Sequence, residues 1–323
     1  MTDDDQQSLF GDLPALTPSR MPPSHVQQRL IRSAVEIEAD DPDAILFQHT
    51  VFCQTGLPYR NPGDAVRVWE RRQGKVALRV EAGAANDPER GEFVELGLPF
   101  GSKPRLVLAY LNSEALRHRS PVIEVEDSLT AFVRRLHVDT NGRNLRLLKE
   151  QLGRLSAAMV RLAVGDAGRG FQVNAQIIDA FDLWFPKDAR QRVLWPSVVE
   201  LSHRYFESLQ RHAVPLDERA VAALSHSAMG LDIYAWLAQR LHRVDPRHFQ
   251  FIPWPALKEQ FGWHYGRMDH FKAIFYKTLR MVLTQYRGAK IELDNRGMIL
   301  RNSPPPVAKR LLLVNRHLSQ SWG

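Results

Sequence analysis

Several stretches carry residue types that could do chemistry, and most lack the spacing that chemistry needs. The run Gly97-Leu-Pro-Phe-Gly-Ser-Lys103 echoes a phosphate cradle. That cradle requires Gly-x-x-x-x-Gly-Lys-Ser/Thr. Here the spacing is one residue short, Ser precedes Lys, and Pro104 stands where Ser or Thr is needed. A turn leading into a helix is the expected structure. A DNA-nicking site needs a His-hydrophobic-His metal pair, and none of the 12 histidines forms a His-x-His triplet. His242 and His248 straddle a break with no third ligand in view, so no zinc site is expected. His264 and His270 could meet phosphates or simply be solvated. The single cysteine, Cys53, sits in an apolar run and is expected to be a buried small hydrophobe rather than a nucleophile. No catalytic motif, metal site or cofactor is therefore expected. What remains is recognition. On a helix over residues 268–286, Met268, Phe271, Ile274, Phe275, Leu279 and Val282 fall on one arc, and Asp269, His270, Ala273, Tyr276, Lys277 and Arg280 on the other. Donors and cations beside a small residue suit base edges and phosphates. An ordinary solvated helix face would look the same.

The elements around that helix decide how it is read. Leu224, Met229, Ile233, Ala235, Trp236, Leu237 and Leu241 show helical spacing. A short strand over 247–252 follows, then a short helix from Ala256 stopped by Gly262. Beyond the long helix, two alternating runs, 290–294 and 298–301, are split by Asn295-Arg-Gly297. Helix, strand, short helix, turn, longer helix and hairpin is the order of a winged helix. Arg267, just before the long helix, and Arg296, in the hairpin turn, join the candidate DNA contacts. The same order occurs upstream. It runs through a helix over 105–117, a strand over 122–126, and a short helix after Ser128. A turn at Asn141-Gly142, a helix over 143–161 and a wing tip at 165–170 complete it. On that second long helix, Arg143, Arg146, Glu150 and Arg154 line the polar side, with the arginines expected on phosphates. The repeat is at the level of the fold, with little identity between copies.

The expected class is α+β: tandem winged-helix domains with β-hairpin wings, preceded by a disordered acidic tail. The division is 1–40 tail, 41–188 N-terminal winged helix, 189–306 C-terminal winged helix and 307–323 C-terminal tail. A helix from Asp41 to Gly56 and a hairpin around Gln73-Gly74 open the first domain, and alternating runs at 173–185 and 192–202 join the halves. The net charge is +7, yet residues 1–50 hold nine acids against three arginines, so the body is more basic than that value suggests. A basic body suits a polyanionic partner. No run of 18 apolar residues occurs, and the acidic start is not a signal peptide, so no membrane association and a cytoplasmic location are expected. In the tail, Gln6-Gln-Ser-Leu-Phe10 resembles the Gln-Leu-Ser/Asp-Leu-Phe peptide that docks bacterial proteins on the replicative sliding clamp. Gln6, Leu9 and Phe10 match, and Gln7 departs from the pattern.

Three longer runs resemble plasmid-encoded RepA-type replication initiators. They are Leu98-Pro-Phe-Gly-Ser-Lys-Pro-Arg-Leu-Val-Leu-Ala-Tyr-Leu-Asn-Ser-Glu-Ala-Leu116, Ile123-Glu-Val-Glu-Asp-Ser-Leu-Thr-Ala-Phe132 and Leu224-Ser-His-Ser-Ala-Met-Gly-Leu-Asp-Ile-Tyr-Ala-Trp-Leu237. The resemblance implies binding to repeated duplex sites at a plasmid origin, opening of the duplex and recruitment of host replication proteins (DnaA, the replicative helicase and the sliding clamp). It also implies a homodimer that represses its own promoter, with copy-number control as a consequence. The competing expectation is a winged-helix transcriptional repressor with no role in initiation.

Overall fold

The computed structural model describes residues 24–87, 91–125, 128–166, 169–181 and 198–308. It is a mixed α+β chain with small antiparallel sheets. The first described element corrects the expectation of a disordered stretch up to residue 40. Helix α1 spans His25–Ala39, and Ser24 and Gln27 exchange side-chain and backbone hydrogen bonds as a capping box. Residues 41–56 also differ from expectation. Strand β1 (Ile45–His49) comes first, and only then a short helix α2 (Thr50–Gln54), capped by His49. The hairpin around Gly74 is as expected, with β2 (Val68–Gln73) paired to β3 (Val76–Glu81). A second hairpin follows, β4 (Ala84–Asp87) with β5 (Glu92–Glu95).

The upstream helical unit contains α3 (Ser102–His118), β6 (Val122–Glu124), α4 (Leu129–Arg135, capped by Ser128) and α5 (Gly142–Ala157, capped by Asn141). The long helix ends at Ala157, four residues earlier than its apolar spacing suggested. From Met159 the chain alternates and becomes strand β7 (Met159–Asp166), paired to β8 (Arg169–Gln176) in the stretch where a wing was expected. Strand β9 (Ile178–Phe181) pairs with β10 (Val198–Leu201). Then come α6 (His203–His212), β11 (Ala213–Asp217) and α7 (Glu218–Leu224). The downstream unit is α8 (Ala228–Arg240), β12 (Gln250–Pro253), α9 (Trp254–Phe261), α10 (Met268–Gln285), β13 (Ile291–Leu293) and β14 (Gly297–Leu300).

The two units share element order but not sheet topology. Downstream, β12 pairs with the returning strand of the hairpin in the order β12-β14-β13. Upstream, β6 pairs with β10 instead, and the hairpin β7–β8 is absorbed into a four-stranded sheet β2-β3-β7-β8. The eight-residue β7 has a free edge once β8 is paired, and β3 covers it from Val76↔Val164 to Glu81↔Met159.

Distant segments tie the chain together. β1 pairs antiparallel with β11 along its whole length. Helix α1 lies on α7 and α10, where Gln285 donates to the Leu30 carbonyl (2.9 Å) and Arg219 donates to the Glu36 and Asp40 carbonyls (2.9 and 3.0 Å). At the centre, α3 and α8 are buried on almost every face. Arg105 of α3 and Asp232 of α8 carry opposite charges into the interior. Arg105 of α3 grips Asp232 of α8 through Nε–Oδ1 (2.6 Å) and Nη2–Oδ2 (2.8 Å). The remaining guanidinium protons go to the carbonyls of Leu57 (2.6 Å), Gly101 (2.6 Å) and Pro58 (3.3 Å). Burial pushes the Asp232 carboxyl up, and the guanidinium opposes that rise. Among the described residues no helix is long and apolar enough to cross a membrane.

Two stability predictions follow from these buried polar groups. Asp232→Leu strands the Arg105 charge and should cost about 3–5 kcal/mol in urea unfolding, whereas Arg105→Met with Asp232→Leu should recover a large part of it. Equal losses would mean that the pair, not the stranded charge, carries the energy. The second concerns His49, fully buried between Ser208 (Nε2 to Oγ, 2.9 Å) and the Val51 amide (3.2 Å). Burial first, and His212 second, lower its pKa from 6.5 to about 3. The unfolded chain therefore takes up the proton first, and the stability given by neutral His49 is full above pH 6.5 and lost as pH falls toward 3. Between pH 6 and 4 the parent should lose about 1.4 kcal/mol per pH unit more than His49→Gln; parallel curves would remove His49 as the source.

Candidate nucleic-acid interface

The downstream helix α10 and the hairpin after it each depend on one close backbone approach. A Cβ on Gly262, at the end of α9, would lie 2.2 Å from the Phe271 ring, so the turn can approach α10 only as glycine. A Cβ on Gly297 would lie 2.1 Å from the Ile252 carbonyl oxygen. Between these, Trp254 acts as a pin. It is 2% exposed, and its ring meets Phe275 (5.9 Å) and Tyr276 (5.2 Å) of α10. Its indole N–H donates to the Asp294 carbonyl in the β13–β14 turn (3.0 Å). One side chain thus fixes the hairpin relative to the helix.

The phase of α10 agrees with its sequence. Phe271, Phe275, Leu279 and Val282 are buried, joined by Thr278 and Gln285. Met268 and Ile274 are only half-buried at the edges of that arc. Asp269, His270, Ala273, Lys277 and Arg280 are exposed together. Tyr276 is half-buried because its ring leans on Trp254, and burial raises its hydroxyl pKa. Arg267 is exposed but engaged, its Nε and Nη2 donating to the Asp269 carboxylate (3.0 and 2.5 Å). Those bonds hold the Asp269 carboxyl below the usual range.

Arg296 projects from the hairpin turn with its side chain 81% exposed. Asp294 orders that turn by accepting from the amides of Arg296 and Gly297 (both 2.8 Å). The Gly297 amide, first among several contacts, lowers the Asp294 carboxyl. Lys272 lies between helix and turn, 4.8 Å from the Trp254 ring and 3.4 Å from the Asn295 carbonyl. Helix phase alone did not single it out, because its position depends on the hairpin.

Upstream, the three arginines of α5 separate. Arg143 and Arg146 are exposed. Arg154 is turned inward at 12% exposure, where it pairs with Glu150 (3.0 Å), donates to the Leu98 carbonyl (3.2 Å) and stacks on Phe100 (5.2 Å). The expectation of a phosphate contact at Arg154 is corrected: the loop 97–100 folds over the end of α5 and captures it. Gln6, Leu9 and Phe10 lie outside the described residues.

The other sequence candidates are structural. Gly101 has φ of +79° and leads directly into α3, so the cradle-like run is a turn. Cys53 is buried and its thiol is pushed up by burial. Trp254 is core, whereas Trp263 is 37% exposed and packs edge-on against Trp69 of β2 at 4.7 Å. That contact joins the α9–α10 turn to the upstream half of the chain.

Residues 98–255 match a family described as plasmid encoded RepA protein. The match stops at the start of α9, so α10 and its hairpin lie beyond it. No curated protein matches the chain. Among solved structures, domains 2 and 3 of RctB align at 10% identity with a TM-score of 0.48, over 78% of this chain and 98% of that one. A second RctB structure, domains 2–3 over its residues 155–483, aligns at 8% identity and a TM-score of 0.43, over 82% of this chain and 94% of that one. From the turn before α3 to the first residues of α9, the chain is similar to the plasmid-encoded RepA family.

Proposed function

We propose that this protein initiates plasmid replication by binding specific duplex DNA at an origin, without a catalytic step of its own. The observation that carries the reading is α10: a polar, cationic arc left open along a helix whose other arc is core, with Arg296 held beside it by the Trp254 pin. We read residues 228–300 as a winged helix, with α8, β12, α9 and α10 as its helical part and β13–β14 as its wing. In this reading α10 enters the major groove. Ala273, Tyr276 and Lys277 face bases, His270 and Arg280 flank them, and Arg267 and Arg296 meet the backbone. The upstream unit adds Arg143 and Arg146 on phosphates. Origin opening, recruitment of DnaA, the replicative helicase and the sliding clamp, homodimer formation and repression of its own promoter complete the proposal, and a cytoplasmic location goes with it. The family match supports the initiator role.

The experiment is a footprint on the DNA flanking the gene, followed by a test of whether that DNA and the gene together sustain a plasmid. Specific binding without maintenance would favour a plain repressor.

Within that assay, Tyr276→Ala or Lys277→Ala should each weaken the specific site by about 1–3 kcal/mol and relax its sequence preference. Arg143→Gln and Arg146→Gln should weaken all duplexes alike and each lower the salt slope by about one unit. If the α10 variants keep both affinity and preference, α10 is not the reader. A further prediction concerns the N-terminal peptide. Leu9→Ala with Phe10→Ala should leave duplex binding intact while clamp binding and plasmid maintenance fall together. Burying the two side chains contributes on the order of 3–6 kcal/mol before entropy, enough only for weak docking. Normal maintenance by the double variant in several hosts would place recruitment elsewhere.

A further inference from the structure

Beside the interface described above lie two arginines and a histidine with unmet hydrogen-bonding capacity among them. Arg71, on β2, has two buried guanidinium nitrogens, Nε and Nη2, with no hydrogen-bond partner. His264, in the turn between α9 and α10, has a buried Nδ1 with none. Buried polar atoms without hydrogen-bond partners are rare and costly, so three such atoms on neighbouring side chains call for a cause. The guanidinium is fixed in place, its central carbon lying 4.7 Å from the Trp69 ring and 5.4 Å from the Trp263 ring. Exposed Arg60 is the third member, since it follows Tyr59, whose ring meets His264 at 5.7 Å. Desolvation first, then Arg60, then Arg71, lower the His264 pKa, so both arginines act on the same imidazole.

Two carboxylates lie nearby, and neither hydrogen-bonds the buried Arg71 nitrogens. Glu259 attracts Arg71 at a distance, and Glu70 is already shared by Arg72 (3.2 Å) and Arg79 (3.1 Å). A cavity of about 250 Å³ opens next to Arg71, with Gln54, Thr55, Arg72 and Gln260 and the carboxylates Glu70 and Glu259 in its wall.

The position of this group suggests its occupant. Tyr59 meets His264 at 5.7 Å, His264 meets Tyr265 at 4.0 Å, and Tyr265 meets His270 at 5.2 Å. That chain of rings ends on the first turn of α10. An anion held by Arg60, Arg71 and His264 would therefore lie next to the open arc of the helix. A duplex whose groove receives α10 brings a phosphate backbone to each side of it.

We propose that Arg60, Arg71 and His264 form a binding site for a backbone phosphate of duplex DNA, where the β2 hairpin meets the α9–α10 turn. The inference rests on the reading that α10 meets DNA. It adds that the upstream half of the chain contributes directly to the contact made by the downstream half. A flat guanidinium backed by two indoles presents its donors in a fixed plane, which suits a phosphate oxygen pair better than a mobile lysine would. Such a contact adds affinity without sequence information.

The test uses the full chain and fluorescence anisotropy over a salt series, with the footprinted duplex and an unrelated duplex. Arg60→Gln and Arg71→Gln should each weaken both duplexes equally, by roughly five- to tenfold, and lower the salt slope by about one unit. Tyr276→Ala, by contrast, should act on the footprinted duplex alone. Arg60 is exposed, so Arg60→Gln remains informative even if Arg71→Gln loosens the tryptophan packing and fails to fold. If the parent binds no duplex, the reading of α10 falls and this site falls with it. If the parent binds and Tyr276→Ala behaves as stated, but Arg60→Gln leaves affinity and slope unmoved, the junction site alone is overturned. Calorimetric titration with inorganic phosphate separates the remaining source. Binding of free phosphate that Arg60→Gln abolishes, with duplex affinity unchanged, would overturn the assignment to the DNA backbone.

Discussion

The Arg105–Asp232 pair sets the constraint on which the two halves depend. Two helices that are buried on nearly every face, α3 and α8, would pack together by apolar contact alone, and such contact tolerates sliding. A bidentate pair with three further carbonyl acceptors does not. Taking both charges out of water is expensive, and the geometry must be close to ideal to offset it. Even the backbone beside the pair is shaped by it. Gly56 has φ of +74°, and a Cβ there would lie 2.5 Å from the Asp232 carboxylate. The pair therefore fixes the relation of the helices more than it adds stability.

Other crossings reinforce that relation. β1 and β11 form a two-stranded sheet between segments far apart in the chain, and α1 returns to lie on α7 and α10. The N-terminal helix thus packs on the helix expected to read DNA, through Gln285 and the Leu30 carbonyl. Trp263 against Trp69 adds a third crossing next to the α9–α10 turn. Each crossing couples the placement of α10 to elements outside its own unit. The interface is a product of the whole chain, although its residues fall in one short stretch.

Within that stretch, rigidity comes from packing rather than from the polar residues themselves. Trp254 holds helix and hairpin together, Gly262 and Gly297 permit the close approaches, and Asp294 orders the turn that presents Arg296. The groups that would touch DNA are supported from behind by groups that would not. This arrangement limits the entropy lost when the exposed side chains order on a ligand.

The downstream unit was legible in the sequence almost element for element. Its apolar spacing, its glycine stops and its Asn-Arg-Gly turn are local signals, and local signals survive without knowledge of the partner. The exposed arc of α10 was legible for the same reason, since helix phase depends only on periodicity. The capping box at Ser24 and Gln27 was equally local, yet the polar, proline-broken stretch around it masked the helix. What only the tertiary structure decided has a common cause: partners distant in sequence. Strand β1 reads as a helix start after Asp41-Pro42 until β11 is beside it. The inward turn of Arg154 depends on the loop 97–100, and the end of α5 at Ala157 on β3 waiting to pair with β7. The meeting of Arg71 with His264 follows from no periodicity, because long-range packing, not spacing, brings β2 to the α9–α10 turn.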